Sequence, residues 1–224
     1  MEKKNNKISN GVKKIMSLLR KCEYEEISKI KIDGKILDLG GDRRSGYHEL
    51  IGGDHNIEIV NLNEARVPDY KFNLEGNFPL EKEAYDAVIC LNVLEHVFNF
   101  QNVINESFRI LKPGGKFIGA TPFLFNVHGS PDDYFRYTES ALNRVFKIAG
   151  FQEVKIKELG YGLFSVLYQL KFNLYRPNFV KFIAMNISIS LDKLISHKFL
   201  KLIRPNHHLT QKFLPLGYFF EVKK

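Results

Sequence analysis

Short apolar runs alternate with polar or glycine-containing turns along the first two thirds of this chain. That alternation restricts the fold more than any other feature. Lys35-Ile-Leu-Asp-Leu-Gly40 reads as a buried strand entering a turn. Further strands are expected at residues 57–62, 70–74, 85–91 and 116–121. Residues 100–111 have helical period and stop at Lys112-Pro113-Gly114-Gly115. Glu139–Ala149 reads as a helix, with Thr138 as its N-cap and Gly150 just past its end. Residues 151–158 supply a sixth strand and residues 212–222 a seventh. Strands interleaved with helices make an α/β chain, with a mostly parallel sheet covered by helices on both faces.

The 224 residues suit one folded body plus an elaboration. We divide them into a helical leading segment (1–34), a core (35–160), a helical interruption (161–211) and a closing strand (212–224). In the leading segment Ile8, Val12, Ile15, Leu18, Leu19, Cys22 and Ile27 recur at helical spacing. In the interruption, residues 163–174 and 179–195 read as helices. The net charge of +8 sits entirely in residues 160–224, where ten Lys and Arg face only Asp192 and Glu221. A neutral body with a basic, aromatic end points to one part for chemistry and another for an anionic partner. Cys22 and Cys90 can form neither a disulfide framework nor a multi-cysteine metal site, which fits a reducing cytoplasm. Residues 1–10 are polar and charged, so no secretory signal is expected. No run reaches the roughly 18 uncharged apolar residues of a membrane span.

In an open parallel sheet, ligands bind beyond the carboxyl ends of the strands, where backbone amides are free. The turn from Asp38 through Gly40 and Gly41 to Gly46 occupies such a position, and glycine there lets backbone approach a ligand closely. Its glycine spacing is not the G-x-G-x-x-G of dinucleotide enzymes, which argues against a nicotinamide cofactor. Asn61-Leu-Asn63 ends the second strand about 20 residues on, where a ribose-binding residue is expected. Asn73-Leu74 ends the third strand, and Asn92-Val-Leu-Glu-His96 follows the fourth.

Ile36-Leu-Asp-Leu-Gly40, Tyr85-Asp-Ala-Val-Ile-Cys-Leu-Asn-Val-Leu-Glu-His96, Leu111-Lys-Pro-Gly-Gly115 and Ala149-Gly-Phe151 together carry a resemblance. With these pieces the chain resembles the class I S-adenosylmethionine-dependent methyltransferases, specifically the small-molecule group called type 11. The block from His128 to Thr138 and the closing Leu216-Gly-Tyr-Phe-Phe220 look like members associated with bacterial surface-polysaccharide biosynthesis. The resemblance implies a Rossmann-like, seven-stranded sheet with the last strand antiparallel, a helical insertion between strands six and seven, and S-adenosyl-L-methionine as cofactor. It also implies that Asp38, Gly40 and Gly41 surround the methionine end, Asn63 meets the ribose hydroxyls, Asn73 and Leu74 flank adenine, and Asn92 lies near the sulfonium.

The chain departs from that pattern in four places. Asp42 and Arg44 stand where the loop usually has glycines, so the loop is bulkier. Asn63 and Asn73 replace acids. Aspartate accepts from both ribose hydroxyls, whereas asparagine offers one acceptor and a donor amide. The charged bond so lost is worth roughly 1.5–3 kcal/mol. A catalytically silent binding protein of the same fold is therefore the alternative to an active enzyme.

For transfer to a hydroxyl, the protein must align the acceptor and remove its proton. His128 is the favoured base, followed by Asp132 and Asp133, although His128 could cap backbone and the two acids could form a turn. Tyr134, Arg136 and Tyr137 would form a wall recognising an anionic or sugar substrate, or Arg136 would pair with Asp133. His96 reads as structural and Glu95 as orienting its loop. In residues 161–211, basic residues interleave with large apolar ones, as in helices lying on an anionic membrane surface. A lid or a dimer contact is the competing reading. The interspersed charge does not suit nucleic acid. His207-His208 lacks a neighbouring carboxylate or thiol, so no metal is expected. The expected acceptor is a small molecule or a lipid- or nucleotide-linked sugar, methylated at oxygen. The expected location is cytoplasmic, peripheral at the inner face of the membrane.

Overall fold

The computed structural model describes residues 16–129, 131–175, 177–195 and 213–224. Six strands form one sheet: β1 (Gly34–Leu39), β2 (His55–Val60), β3 (Tyr85–Leu91), β4 (Leu111–Pro122), β5 (Glu153–Leu159) and β6 (Gly217–Lys223), in the order β2-β1-β3-β4-β6-β5. β1 pairs in parallel with β2 and β3, and β3 with β4. β6 runs antiparallel between β4 and β5. The final strand is thus reversed, as expected, but among the described residues the sheet is mixed and has six strands rather than seven.

The strand expected at 70–74 is missing, and only Tyr70 bridges to Val60. This stretch finds its hydrogen bonds elsewhere. The helix α2 (Phe100–Ile110) carries Asn102, whose amide donates to the carbonyls of Leu74 (3.1 Å) and Gly76 (2.7 Å). From the same helix Arg109 donates to the carbonyls of Phe78 and Leu80, and Glu106 accepts from the Phe78 amide. From Leu74 onward, α2 side chains thus take backbone groups that a strand would offer to a ladder. The Lys112-Pro113-Gly114-Gly115 breaker ends α2 one residue before β4, and its residues enter that strand through a register shift opposite Tyr85 and Ala87.

Helices cover both faces. α2 and α3 (Glu139–Ala149) bury Val103, Ile104, Leu142 and Phe146 against Phe117 and Phe220. Thr138 caps α3 by accepting from Ala141 N (3.2 Å), and Gly150 ends it at φ 104°. On the other face α1 (Leu18–Ile27), α4 (Leu163–Lys171) and α5 (Asn178–Leu194) bury Leu18, Ile27, Tyr168 and Met185 against Ile36, Ile89 and Ile118. Asp192 of α5 caps the start of α4, accepting from the amides of Phe164 (2.9 Å) and Ser165 (2.7 Å). Gln169 of α4 accepts from Leu19 N (3.2 Å), which joins the α4–α5 pair to α1. The part of the leading helix expected at residues 8–15, the last part of the interruption (196–211), and His207-His208 lie outside the described residues.

Gly119 in β4 lies under the ring of Phe220, its partner across the antiparallel ladder. A Cβ there would collide with that ring and with the Cys90 carbonyl oxygen. Gly119→Ala is expected to cost about 1–3 kcal/mol by overpacking, measured by urea denaturation.

Candidate functional site

The strand order reverses between β1 and β3. The chain leaves β1 toward β2 and returns on the other side, opening a crevice beyond Leu39 and Leu91. The loop after β1 is shaped by its glycines. Gly40 sits at φ 73°, and an added Cβ would come within 2.6 Å of Val93. A Cβ on Gly41 would strike the Asp38 carboxylate behind it. The Asn61 amide then fixes the loop, donating to the carbonyls of Gly40 (3.0 Å) and Gly41 (2.8 Å). Asp42 and Arg44, the charged replacements for glycine, are not among the residues lining the crevice. Asp42 pairs with Arg44 and Arg66, and Arg43 pairs with Asp69.

The crevice is a cavity of about 660 Å³. Gly40, Asn63, Asn73, Leu74 and Asn92 line it together, as do Asp132 and Tyr134 from the segment after β4. Asn63 and Asn73 both spend their side-chain oxygens in local turns, accepting from Ala65 N (3.0 Å) and Glu75 N (3.0 Å). Asp38 is fully buried below the loop, accepting from Tyr47 and from His48 Nε2 (2.6 Å), while its Oδ1 has no partner. Burial pushes this carboxyl above the usual range, with His48 and Tyr47 pulling it back.

Asn92 divides this cavity from a smaller one of about 120 Å³ lined by Arg20, Glu23, Phe125 and His128. Its backbone is left-handed (φ 54°), a conformation asparagine tolerates, and its amide N–H bonds to the Ala120 carbonyl (2.8 Å). Its side-chain NH₂ donates to both oxygens of Glu23 (2.9 and 3.0 Å), leaving Oδ1 buried without a partner. Glu23 is itself buried, and desolvation raises its pKa against the pull of Asn92. Beside it lies Glu95, in the short turn Leu94–His96. Burial, reinforced by the charges of Glu23 and Asp133 and opposed by Arg136, pushes the Glu95 carboxyl up to about 8.

The segment after β4 is bolted to that turn. The amide of Tyr134 donates to the Glu95 carbonyl (2.8 Å), and the Tyr137 hydroxyl to the Leu94 carbonyl (3.0 Å). Tyr137 is therefore a core residue that lines neither of these cavities, so it does not belong to a substrate wall there. Asp133 is gripped by Arg136 (2.5 and 2.7 Å) and by the His128 amide (2.8 Å), so its carboxyl lies well below the usual range. That pairing leaves neither Asp133 as a base nor Arg136 as a free cation. Asp132 accepts from the Tyr134 hydroxyl (2.9 Å) at the cavity edge.

Residues 42–119 match the model of a family described as "Methyltransferase domain". A probable S-adenosylmethionine-dependent methyltransferase of Mycolicibacterium smegmatis is 33% identical over 75 residues, covering 33% of this chain and 29% of that protein. A ubiquinone biosynthesis O-methyltransferase of Rickettsia typhi is 28% identical over 167 residues, covering 62% and 65%. The chain thus spans less than two thirds of either relative. An S-adenosylmethionine-dependent methyltransferase from Archaeoglobus fulgidus superposes with a TM-score of 0.54 at 16% identity, over 92% of this chain and 91% of that one. The fold is the Rossmann-like methyltransferase fold.

Sequence reasoning passed over three side chains here. Asn61 lies two residues before Asn63, which the ribose spacing favours. Arg20 and Glu23 lie on a helix far from any motif. The only signal for Glu23 is an acid within the apolar stripe formed by Leu19, Cys22 and Ile27.

The raised carboxyl of Glu95 has a consequence for stability. A group whose pKa rises on folding contributes fully below its unfolded value and loses that contribution as pH climbs through the folded one. The ligand-free protein should therefore lose up to ~4 kcal/mol between pH 5 and 9 from this group. Glu95→Gln should flatten the decline, read as melting temperature against pH.

Proposed function

We propose that this chain binds S-adenosyl-L-methionine in the larger cavity and transfers its methyl group to an oxygen of an acceptor in the smaller one. The observation that carries the reading is the convergence of Gly40, Asn63, Leu74 and Asn92 on one cavity at the point where strand order reverses. Its volume is that of a small-molecule site. The unpartnered oxygens of Asp38 and Asn92 suit a cationic ligand, because buried acceptors without donors favour a positive charge beside them. When bound, the cofactor supplies an activated methyl on a sulfonium.

Within this reading, the Gly40-Gly41 loop, backed by Asp38, holds the methionine end. Asn63 meets the ribose through its amide, since its oxygen is committed to the turn. Asn73 and Leu74 flank the base, and Asn92 stands near the sulfonium between the two cavities. His128 is assigned to the acceptor oxygen, with Asp132 and Tyr134 at the rim. The acceptor class is a small molecule or a lipid- or nucleotide-linked sugar of the kind used in surface-polysaccharide synthesis.

Calorimetric titration with S-adenosylmethionine and S-adenosylhomocysteine should give one equivalent of each. Asn63→Asp should tighten both by roughly tenfold, by restoring a charged acceptor to the ribose. No heat at several hundred micromolar ligand would favour the silent binding protein instead.

The α4–α5 pair supports a membrane-surface role. Leu167, Leu170, Leu174, Phe179, Phe182 and Ile183 are exposed along it, with Lys171 and Lys181 among them. No described helix is long and apolar enough to cross a membrane. An amphipathic basic face of this kind can lie in an anionic interface. The full chain should pellet with anionic vesicles at low salt and be released by high salt. Recovery of all the protein in the supernatant at low salt would leave the face to a lid or a dimer contact.

A further inference from the structure

The geometry points to a divalent transition-metal site formed by Glu95, His96 and His128 on the boundary between the two cavities. One donor atom from each of these residues lies within 4.8 Å of the others. Three atoms so spaced lie within about 2.8 Å of a common centre, so closing to the ~2.0–2.2 Å of metal–ligand bonds takes well under 1 Å of side-chain movement.

The hydrogen bonds around the triad are those that ligands need. His96 Nδ1 lies 2.5 Å from the carbonyl oxygen of Asp132, and His128 Nδ1 lies 3.2 Å from that of Asn126. A carbonyl can only accept, so each Nδ1 carries the hydrogen and each Nε2 keeps its lone pair. Metal-binding imidazoles are oriented by this kind of donation from the second nitrogen. The third member supplies an independent observation. Glu95 is fully buried, and neither carboxylate oxygen has a hydrogen-bond partner. His96 Nε2 stands 3.7 Å from Glu95 Oε1, too far to serve as that partner. Such a carboxylate needs a proton or a cation.

Position gives the site a use. His96 lines the larger cavity, His128 the smaller, and Asn92 both. Two imidazoles and one carboxylate suit Mn²⁺, Fe²⁺, Co²⁺ or Zn²⁺ better than Mg²⁺ or Ca²⁺, which prefer oxygen ligands. Three protein ligands leave coordination positions open, and an acceptor presenting a hydroxyl or a pair of adjacent oxygens would fill them. His128 then meets the acceptor through the cation rather than by taking its proton. This consequence for catalysis rests on the methyl-transfer reading, whereas metal binding itself does not. The expectation of no metal rests on Cys22, Cys90 and His207-His208, none of which belongs to the triad.

The test is calorimetric titration of the chelator-treated, dialysed full chain with MnCl₂ and ZnCl₂, together with visible spectra of the Co²⁺-loaded protein. One equivalent of metal and ligand-field bands for imidazole–carboxylate coordination are expected. His96→Ala, His128→Ala and Glu95→Gln should each weaken binding at least tenfold. A protein with both His207→Ala and His208→Ala should bind unchanged. The far-UV circular dichroism and melting temperature of each variant check the fold, and His96→Gln and His128→Gln replace any alanine variant that fails. Substoichiometric binding, binding unaffected by the triad variants, or binding abolished by the His207/His208 pair would overturn the site. A protein that binds S-adenosylhomocysteine but takes up no metal would sink this inference alone, and one that takes up metal but binds no S-adenosyl ligand would sink the methyl-transfer reading alone.

Discussion

With β1 paired to β2 on one side and β3 on the other, the connections at Gly40 and Asn92 leave the sheet in opposite directions. Neither connection can cover the gap between the strand ends, so a crevice is built into the topology before any side chain is chosen. What the side chains add is its form. Gly40 and Gly41 keep the first loop thin, the Asn61 amide holds it down, and Val93 fills the space a Cβ would need.

The second wall depends on buried charge. Glu23, Asp38 and Glu95 are fully or almost fully buried, and burial raises the pKa of each. Stability alone does not explain three desolvated carboxyl groups around one crevice, because an apolar residue would cost less at each position. Their cost is offset when a positive group enters. A sulfonium beside Asp38 and Asn92, or a cation at Glu95, would provide one.

The turn residues were legible because strand ends are local events. A glycine after an apolar run, or an asparagine at the head of a new loop, is visible within a few residues, and Gly40, Leu74 and Asn92 do converge. Thr138 and Gly150 marked the limits of α3 for the same reason. The strand expected at 70–74 was lost to long-range competition, since nothing within it foretells that Asn102 will take the Leu74 carbonyl and Arg109 those of Phe78 and Leu80 just beyond. For Asp133 and Arg136 the sequence left chemistry and a mutual ion pair both open, and the ion pair forms, whereas nothing local shows that the Tyr137 hydroxyl is spent on Leu94. Glu23 reaches Asn92 across 69 residues of chain, a distance over which pattern reading has no purchase.

The place of β6 bears on how the molecule assembles. β5 touches the rest of the sheet only through β6, which arrives after the whole α4–α5 excursion. Until then β5 exposes two bare edges, and α3 packs on an incomplete floor. Closing so long a loop before its contacts repay the entropy slows folding. The half-built sheet is open to pairing with other chains meanwhile. Lys155 and Lys157, set along β5, put charge on the vulnerable strand through that interval.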